Sequence, residues 1–292
     1  MASPITKFIL IVVRSLLKVL PIDVVFQLLR ILPRKLTAKL IALIDFKNDY
    51  DVKILGLNFK IKSGPQDDHF LDLEFDRMSS WENRTLRIWS DLSKTAQVCI
   101  DVGAYFGVYT IVSSLSGAKE VYAIEPNPNV FKNLLSNLEI NGLQREVTCL
   151  NFAVGEENSE SALLAMPNRP LSSGAHIDLG SRENIVYDSN FRRYKSVSIG
   201  NVQVKPLDCM LEITKSRIDL IKIDVEGYEL LVLNGAERIL REHRPVLIIE
   251  IVSAEQKKIV DNKLHSLGYS VGELITDPRE SRNFIFKHQS LA

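Results

Sequence analysis

The sequence predicts an α/β protein with a Rossmann-like sheet, mostly parallel with one reversed strand, and an N-terminal helical appendage. From residue 96 onward, short apolar runs alternate with helical patterns. Such alternation indicates a parallel sheet covered on both faces. Near its end the chain has two apolar runs with no helix between them, and such runs pair antiparallel. We therefore expect about seven strands, one of them reversed.

The predicted strands are short apolar runs that lack helical spacing. They are Val98–Val102, Val121–Ile124, Val147–Val154, Ile218–Ile223, Val246–Ile251, Tyr269–Ile275 and Phe284–Lys287. The helices are predicted from apolar stripes that recur at helical spacing. These stripes are Val130, Leu134, Leu135 and Leu138, then Leu231, Leu233, Ile239 and Leu240, and finally Ile259, Leu264 and Leu267. A further helix is predicted over Ser79–Leu92.

Composition excludes several classes of protein. The 292 residues carry 36 basic and 36 acidic side chains, and this zero net charge argues against nucleic acid as a general partner. Three cysteines without a Cys-x-x-Cys pattern indicate a reduced, cytoplasmic protein. The five histidines do not pair at metal-ligand spacing, so no zinc site is expected.

Residues 1–75 are predicted to form an N-terminal segment, and residues 76–292 the main domain. Ile5–Phe46 is apolar but interrupted by charges and prolines, and no stretch reaches the ~18 apolar residues of a spanning helix. Short amphipathic helices with basic faces remain. They are either a cap packed on the main domain or an interfacial segment that associates with a membrane. Asp51–Lys62 predicts a small hairpin or bent strand.

The first core strand leads into the loop Asp101–Gly107, where a tight turn can approach a ligand. Glu125 follows the second strand, 22 residues after Gly103, about the distance at which an acid meets ribose hydroxyls. A nicotinamide dehydrogenase is disfavoured because Tyr105 stands where the dinucleotide fingerprint has its second glycine. The alternative is a plain strand–helix turn that binds nothing. The candidate ligand-binding residues are Asp101, Gly103, Ala104, Tyr105, Gly107, Glu125, Pro126 and Asn127. Asn127 suits the N-cap and Pro128 the first turn of the next helix.

Acids also cluster where a later strand ends. Asp224, Glu226 and Glu229 follow Ile218–Ile223, and Glu250 lies in the next predicted strand. Burying acids beside apolar strands is costly unless they are paired or used in chemistry. Asp224, Glu226 and Glu250 are therefore candidate catalytic residues. A solvated turn is one alternative, and a divalent metal such as Mg²⁺ held by Asp224 and Glu250 is another.

Residues 156–206 form a long insertion between strands, in a position to cover a substrate. Within it, Leu171–His176 is expected to be a flexible loop, and Val197–Val204 alternates like an exposed strand. His176 is a candidate general base, although a lone histidine in a loop is often only solvated.

The sequence resembles the FkbM-type methyltransferases over about residues 80–251. The resemblance rests on motifs that occur in the same order. They are Ile100–Thr110, Glu125-Pro126-Asn127-Pro128, Asp219–Glu229, Leu233-Asn234-Gly235-Ala236 and Arg244–Glu250. The sequence departs from the family pattern at two positions, because the family commonly has Asn in place of Tyr105 and Ile or a similar residue in place of Phe106.

The resemblance implies a Rossmann-like methyltransferase fold, S-adenosylmethionine as cofactor and methylation of an acceptor hydroxyl. Family acceptors include sugars, glycan ends and small natural products. In such a methyltransferase the loop residues hold the cofactor, and Asp101 orders the loop that binds the amino-acid end of the cofactor. The later acids orient or deprotonate the acceptor. Two alternatives stay open: an N-methyltransferase, and a nonenzymatic binding protein of this fold tethered to a membrane.

Overall fold

The structure, a computed structural model, describes residues 49–62, 83–167, 176–178, 185–187, 193–276 and 282–291. The predicted N-terminal helices and most of the loop before His176 lie outside these ranges. The strands are β1 (Asp49–Ile54), β2 (Leu57–Lys62), β3 (Val98–Val102), β4 (Glu120–Ile124), β5 (Val147–Leu150), β6 (Ala153–Val154), β7 (Ser159–Pro167), β8 (His176–Asp178), β9 (Ile185–Tyr187), β10 (Arg193–Lys205), β11 (Ile218–Ile223), β12 (Val246–Glu250), β13 (Glu273–Leu274) and β14 (Asn283–Phe286). The helices are α1 (Asn83–Ser93), α2 (Val108–Ser116), α3 (Pro128–Ile140), α4 (Met210–Ile213), α5 (Glu229–Asn234), α6 (Glu237–Glu242) and α7 (Ala254–Ser266), with short 3₁₀ turns at Leu207–Cys209 and Gln289–Leu291.

A seven-stranded sheet in the order β13-β14-β12-β11-β3-β4-β5 forms the centre of the molecule. Strands β12, β11, β3, β4 and β5 are parallel, and β14 runs antiparallel to both of its neighbours. The predicted Rossmann-like sheet with one reversed strand is confirmed.

Two predicted strands are shorter in the structure. The run Val147–Val154 is divided, and β6 leaves the central sheet to pair with β10. The side chain of Asn151, at the break, donates to the carbonyl oxygens of Glu125 and Pro126, which ties this bend to the end of β4. In Tyr269–Ile275 only β13 forms a ladder, together with a single bridge between Tyr269 and His288.

The insertion builds a second sheet, in the order β6-β10-β7-β8, with β9 paired to β10. Strand β10 extends beyond the exposed strand predicted at Val197–Val204. His176 was expected in a flexible loop, but the structure places it at the start of β8, where it pairs with Ala165 of β7. Backbone pairing along β7 explains the difference, because strand pairing satisfies amide groups that a loop would leave to solvent.

Apolar side chains fill both faces of the central sheet. On one face Cys99 and Ala123 pack with α1, α2 and α3, and on the other Ile100 and Ile221 pack with the helices of the second half. Alternate residues of one strand point to opposite faces, which is why neighbours on β3 belong to different layers. The carboxyl ends of the strands are thereby held in a rigid frame.

The predicted hairpin is present as β1 and β2. Leu55 and Gly56 at its turn both have positive φ, +53° and +81°, as the tight hairpin turn requires. Phe59 and Ile61 are buried in the same apolar layer as α2 and α3. The hairpin therefore shares its core with the main domain.

Among the described helices, none is long and apolar enough to cross a membrane.

Candidate functional site

The carboxyl ends of four neighbouring strands meet along one line. Ile124 pairs with Val102, Val102 with Ile223, and Ile223 with Ile249. The residues that come directly after these four are Glu125, Gly103, Asp224 and Glu250. The register therefore brings a glycine turn and three carboxylates from distant parts of the sequence to one edge of the sheet, where α/β folds bind ligands.

Gly103 lies where the ends of β3 and β11 touch. Its φ is +81°, and a Cβ at this position would lie 1.8 Å from the backbone oxygen of Asp224. The Asp224 amide donates to the carbonyl oxygen of Val102 at 3.0 Å, which holds the two strand ends together. Glycine is thus required here by the neighbouring backbone, a reason that the sequence alone did not show.

The loop continues through two more residues of left-handed conformation. Tyr105 has φ +51°, which costs a non-glycine residue of order 1 kcal/mol, and Gly107 has φ +94°. Ala104 is buried, and its amide donates to the carbonyl oxygen of Ile124 at 3.0 Å. A Cβ on Gly107 would meet Leu134 of α3 at 2.5 Å, so this glycine allows helix α3 to pack closely.

Glu125 is buried beneath this loop, with 6% of its surface exposed. One carboxylate oxygen accepts from the amide of Tyr105 at 3.0 Å, and the other from the amide of Asn127 at 2.8 Å. Burial raises the pKa of Glu125 to about 7 against the lowering effect of these two hydrogen bonds. A carboxylate offers about four lone-pair positions, so Glu125 retains acceptor capacity beyond these two hydrogen bonds.

The residues after Glu125 start helix α3 as predicted. The Asn127 side chain accepts from the amide of Asn129 at 3.0 Å and caps the helix, and Pro128 stands in its first turn. The carbonyl oxygen of Pro126 accepts from Asn151 at 3.1 Å. These contacts fix the backbone that follows Glu125.

Asp101 lies inside β3 and is almost fully buried. Its carboxylate accepts from the Thr110 hydroxyl at 2.6 Å. Burial raises the pKa of Asp101 to about 6, while the Thr110 hydrogen bond and the charge of Lys222 lower it. Asp101 therefore links β3 to the first turn of α2.

Lys222 is a buried cation that the sequence analysis did not select. It is the register partner of Asp101 and is fully buried. Its Nζ lies 3.1 Å from Oδ2 of Asp224 and 5.0 Å from the centre of the Tyr109 ring. A lysine in the middle of the apolar run Ile218–Ile223 was the available signal, because a buried charge needs a partner.

The turn after β11 holds the remaining predicted acids. Glu226 has φ +51° and is half-buried. Glu229 accepts from the amide of Gly227 at 2.8 Å, and burial raises its pKa. This carboxylate thus shapes the turn that presents Asp224 and Glu226.

The structure places Asp224 and Glu250 at adjacent strand ends. Glu226 lies in the turn that follows β11. The backbone of His176 lies in the second sheet, and its side chain is outside what the structure describes. Within the described ranges, no group of three or more His, Cys, Asp or Glu side chains is arranged to hold a metal ion. A divalent metal ion held by the carboxylate oxygens of Asp224 and Glu250 stays a prediction.

The fold and the site together define a Rossmann-like protein with a glycine turn after one core strand and an acid after the next. The family model described as "Methyltransferase FkbM domain" matches residues 101–271, more than half of the chain. The chain belongs to the FkbM methyltransferase family. The resemblance found in the sequence motifs is confirmed.

Individual relatives are distant. "Methyltransferase 1" of Beauveria bassiana (strain ARSEF 2860) is 27% identical over 144 residues, which cover 47% of this chain and 57% of that protein. The FkbM methyltransferase structure from Methylobacillus flagellatus KT has a TM-score of 0.44 at 20% identity, and the match covers 65% of this chain and 43% of that one. The structure of an O-methyltransferase from Bacillus cereus in complex with SAH has a TM-score of 0.39 at 15% identity, over 70% of this chain and 78% of that one. The chain thus spans little more than half of the curated relative that it matches.

Proposed function

We propose that this protein transfers a methyl group from S-adenosylmethionine to a hydroxyl of a sugar, glycan or small natural product. The observation that carries this proposal is the line of Glu125, Gly103, Asp224 and Glu250 along one edge of the sheet. It combines a site for a ribose-bearing cofactor with acids on the neighbouring strand ends.

The residues around Gly103 fit the cofactor. The remaining lone pairs of Glu125 accept hydrogen bonds from the ribose diol. The Gly103–Gly107 loop lies along the amino-acid end of the cofactor. Asp101 accepts a hydrogen bond from the Thr110 hydroxyl and so joins the strand before the loop to the helix after it. The cofactor supplies an electrophilic methyl group bound to a sulfonium.

Asp224 is placed to act on the acceptor. The Lys222 ammonium at 3.1 Å stabilises the negative charge of this carboxylate and fixes its direction. A carboxylate held in this way orients an acceptor hydroxyl by accepting its hydrogen bond, which aligns the oxygen for in-line attack. Glu250 ends the neighbouring strand β12 and Glu226 follows Asp224 in the same turn, and both belong to this acidic edge.

Calorimetry with S-adenosylmethionine tests the cofactor assignment. Glu125→Ala removes the ribose acceptor and should weaken binding by roughly 1–3 kcal/mol, the cost of unpaired hydrogen bonds to a charged group. Glu139→Ala, which removes an exposed carboxylate on α3, is the matched control and should leave the affinity unchanged. Equal affinity of wild type and Glu125→Ala would refute the role given to Glu125.

The acceptor is tested with cofactor that carries a labelled methyl group, incubated with a cell extract and the purified protein. We expect the label on oxygen in a sugar-containing or other small-molecule fraction. Label on nitrogen would replace the proposal by an N-methyltransferase. Cofactor binding without any transfer would favour a nonenzymatic binding protein.

A further inference from the structure

The side chain of Asn137 joins the N-terminal hairpin to the Gly103–Gly107 loop. Asn137 lies on α3 and is fully buried. Its Oδ1 accepts from the backbone amide of Lys62 on β2 at 2.7 Å. Its Nδ2 donates to the backbone carbonyl oxygen of Phe106 in the loop at 2.9 Å. One amide group therefore contacts two segments that lie more than 40 residues apart in the sequence.

Asn141, the C-cap residue of α3, lies four residues after Asn137 and provides a comparison. Its Oδ1 accepts from the amide of Lys60 at 2.7 Å, and its Nδ2 donates to the carbonyl oxygens of Lys60 and Asn137. Asn137 and Asn141 therefore both hold the edge of β2 that faces α3. Asn137 differs in that its Nδ2 also reaches the loop.

The loop is a segment whose shape depends on such support. Tyr105 and Gly107, on either side of Phe106, both have positive φ. The Tyr105 amide donates to Glu125, so the contacts run from Lys62 through Asn137 and the loop to the carboxylate proposed to hold ribose. A loop with a strained residue keeps one conformation only where its surroundings fix it.

We propose that Asn137 is a positioning residue that couples Lys62, at the end of the β1–β2 hairpin, to the geometry of the Gly103–Gly107 loop. The hairpin is then a supporting part of the cofactor site, although no hairpin residue needs to touch the cofactor. This inference rests on the proposed function for its ligand, S-adenosylmethionine. The coupling itself concerns the loop and can be measured without ligand.

Removing the Asn137 side chain should make the Gly103–Gly107 loop less ordered in the ligand-free protein. Ligand binding would then have to order this loop. Asn137→Ala should raise the dissociation constant for S-adenosylmethionine by about 5- to 30-fold, the range expected from one or two lost hydrogen bonds. Asn141→Ala removes a comparable set of contacts to the hairpin and should change this constant by less than about threefold. Both variants should melt at lower temperature than wild type.

Amide hydrogen exchange of the ligand-free protein supplies the second measurement. The amides of Tyr105 and Gly107 should exchange at least about fivefold faster in Asn137→Ala than in wild type, and at the wild-type rate in Asn141→Ala. Asn137→Ser, which keeps a small polar side chain, serves if the alanine variant does not fold.

Each outcome separates the coupling from the proposed function. Failure of the wild type to bind S-adenosylmethionine would overturn the proposed function. Amide hydrogen exchange of the Gly103–Gly107 loop would still test the role of Asn137. Binding by the wild type, with equal effects of the Asn137 and Asn141 variants on affinity and loop exchange, would overturn the coupling. Asn137 would then only hold the hairpin.

Discussion

At the scale of single residues, Glu125 and Asp101 are carboxyl groups whose ionisation is disfavoured by burial. Burial raises the pKa of Glu125 to about 7 and that of Asp101 to about 6. Because these values lie above those of exposed carboxyls, the folded state binds protons more tightly than the unfolded state. Their contribution to stability is therefore fully present below about pH 4 and is lost as pH rises through 6 to 7.

This linkage predicts how a neutral variant behaves. Glu125→Gln removes the ionisation, so its stability relative to wild type should be greater at pH 8 than at pH 5. Thermal or urea melts of both proteins across this range measure the difference, with Glu139→Gln on the exposed face of α3 as the control. Stability curves of Glu125→Gln and wild type that stay parallel from pH 5 to pH 8 would refute the raised pKa.

Asp224 carries the prediction about chemistry. If it orients or deprotonates the acceptor, Asp224→Asn should lower turnover by about 10²–10⁴-fold and leave cofactor affinity almost unchanged. If Asp224 and Glu250 instead hold a metal ion, chelator should abolish activity and Mg²⁺ should restore it. Turnover that resists chelator and stays within about threefold in Asp224→Asn would contradict both roles.

At the scale of elements, the close approach of β3 to β11 depends on glycine, which has no side chain, at position 103. Gly103→Ala would force a Cβ to 1.8 Å from the Asp224 carbonyl oxygen at φ +81°. The ends of the two strands must then separate, at a cost of about 2–5 kcal/mol in the free energy of unfolding.

Gly142→Ala is the matched control for this prediction. Gly142 has φ +72°, and a Cβ there would meet nothing within 4 Å. This substitution should cost only the conformational strain of about 1 kcal/mol. Urea unfolding of the two variants measures the difference, and equal losses would show that backbone conformation, and not the contact with Asp224, accounts for the effect of Gly103→Ala.

At the scale of the whole molecule, a prediction concerns the role of the first 46 residues. If they form a cap on the main domain, deleting them should lower the melting temperature, and neither form should bind anionic vesicles. If they lie on a membrane, the deletion should release the protein from such vesicles and leave cofactor binding intact. Vesicle flotation together with thermal melting distinguishes these outcomes, because the deletion retains the β1–β2 hairpin that begins at Asp49.

The sequence by itself determined the order of the central strands along the chain, the reversed strand and the positions of the glycine turn and the acids. These features are local: apolar periodicity marks each element, and turn residues mark its ends. Gly103, Glu125 and Asp224 could be selected because each follows directly after an apolar run. Their function as a group was inferred from the general rule that parallel strands present their carboxyl ends at one edge.

Only the tertiary structure decided which residues touch one another at that edge. Strand register and helix packing place Lys222 beside Asp224 and over the Tyr109 ring. They also place Asn137 between Lys62 and Phe106. The sequence also suggested a ligand as the reason for Gly103, whereas the structure shows the backbone of Asp224 in that place. Apart from the Lys222–Asp224 pair, these contacts join residues that are tens of positions apart, and the free energy that selects them comes from packing the whole core and not from any local pattern.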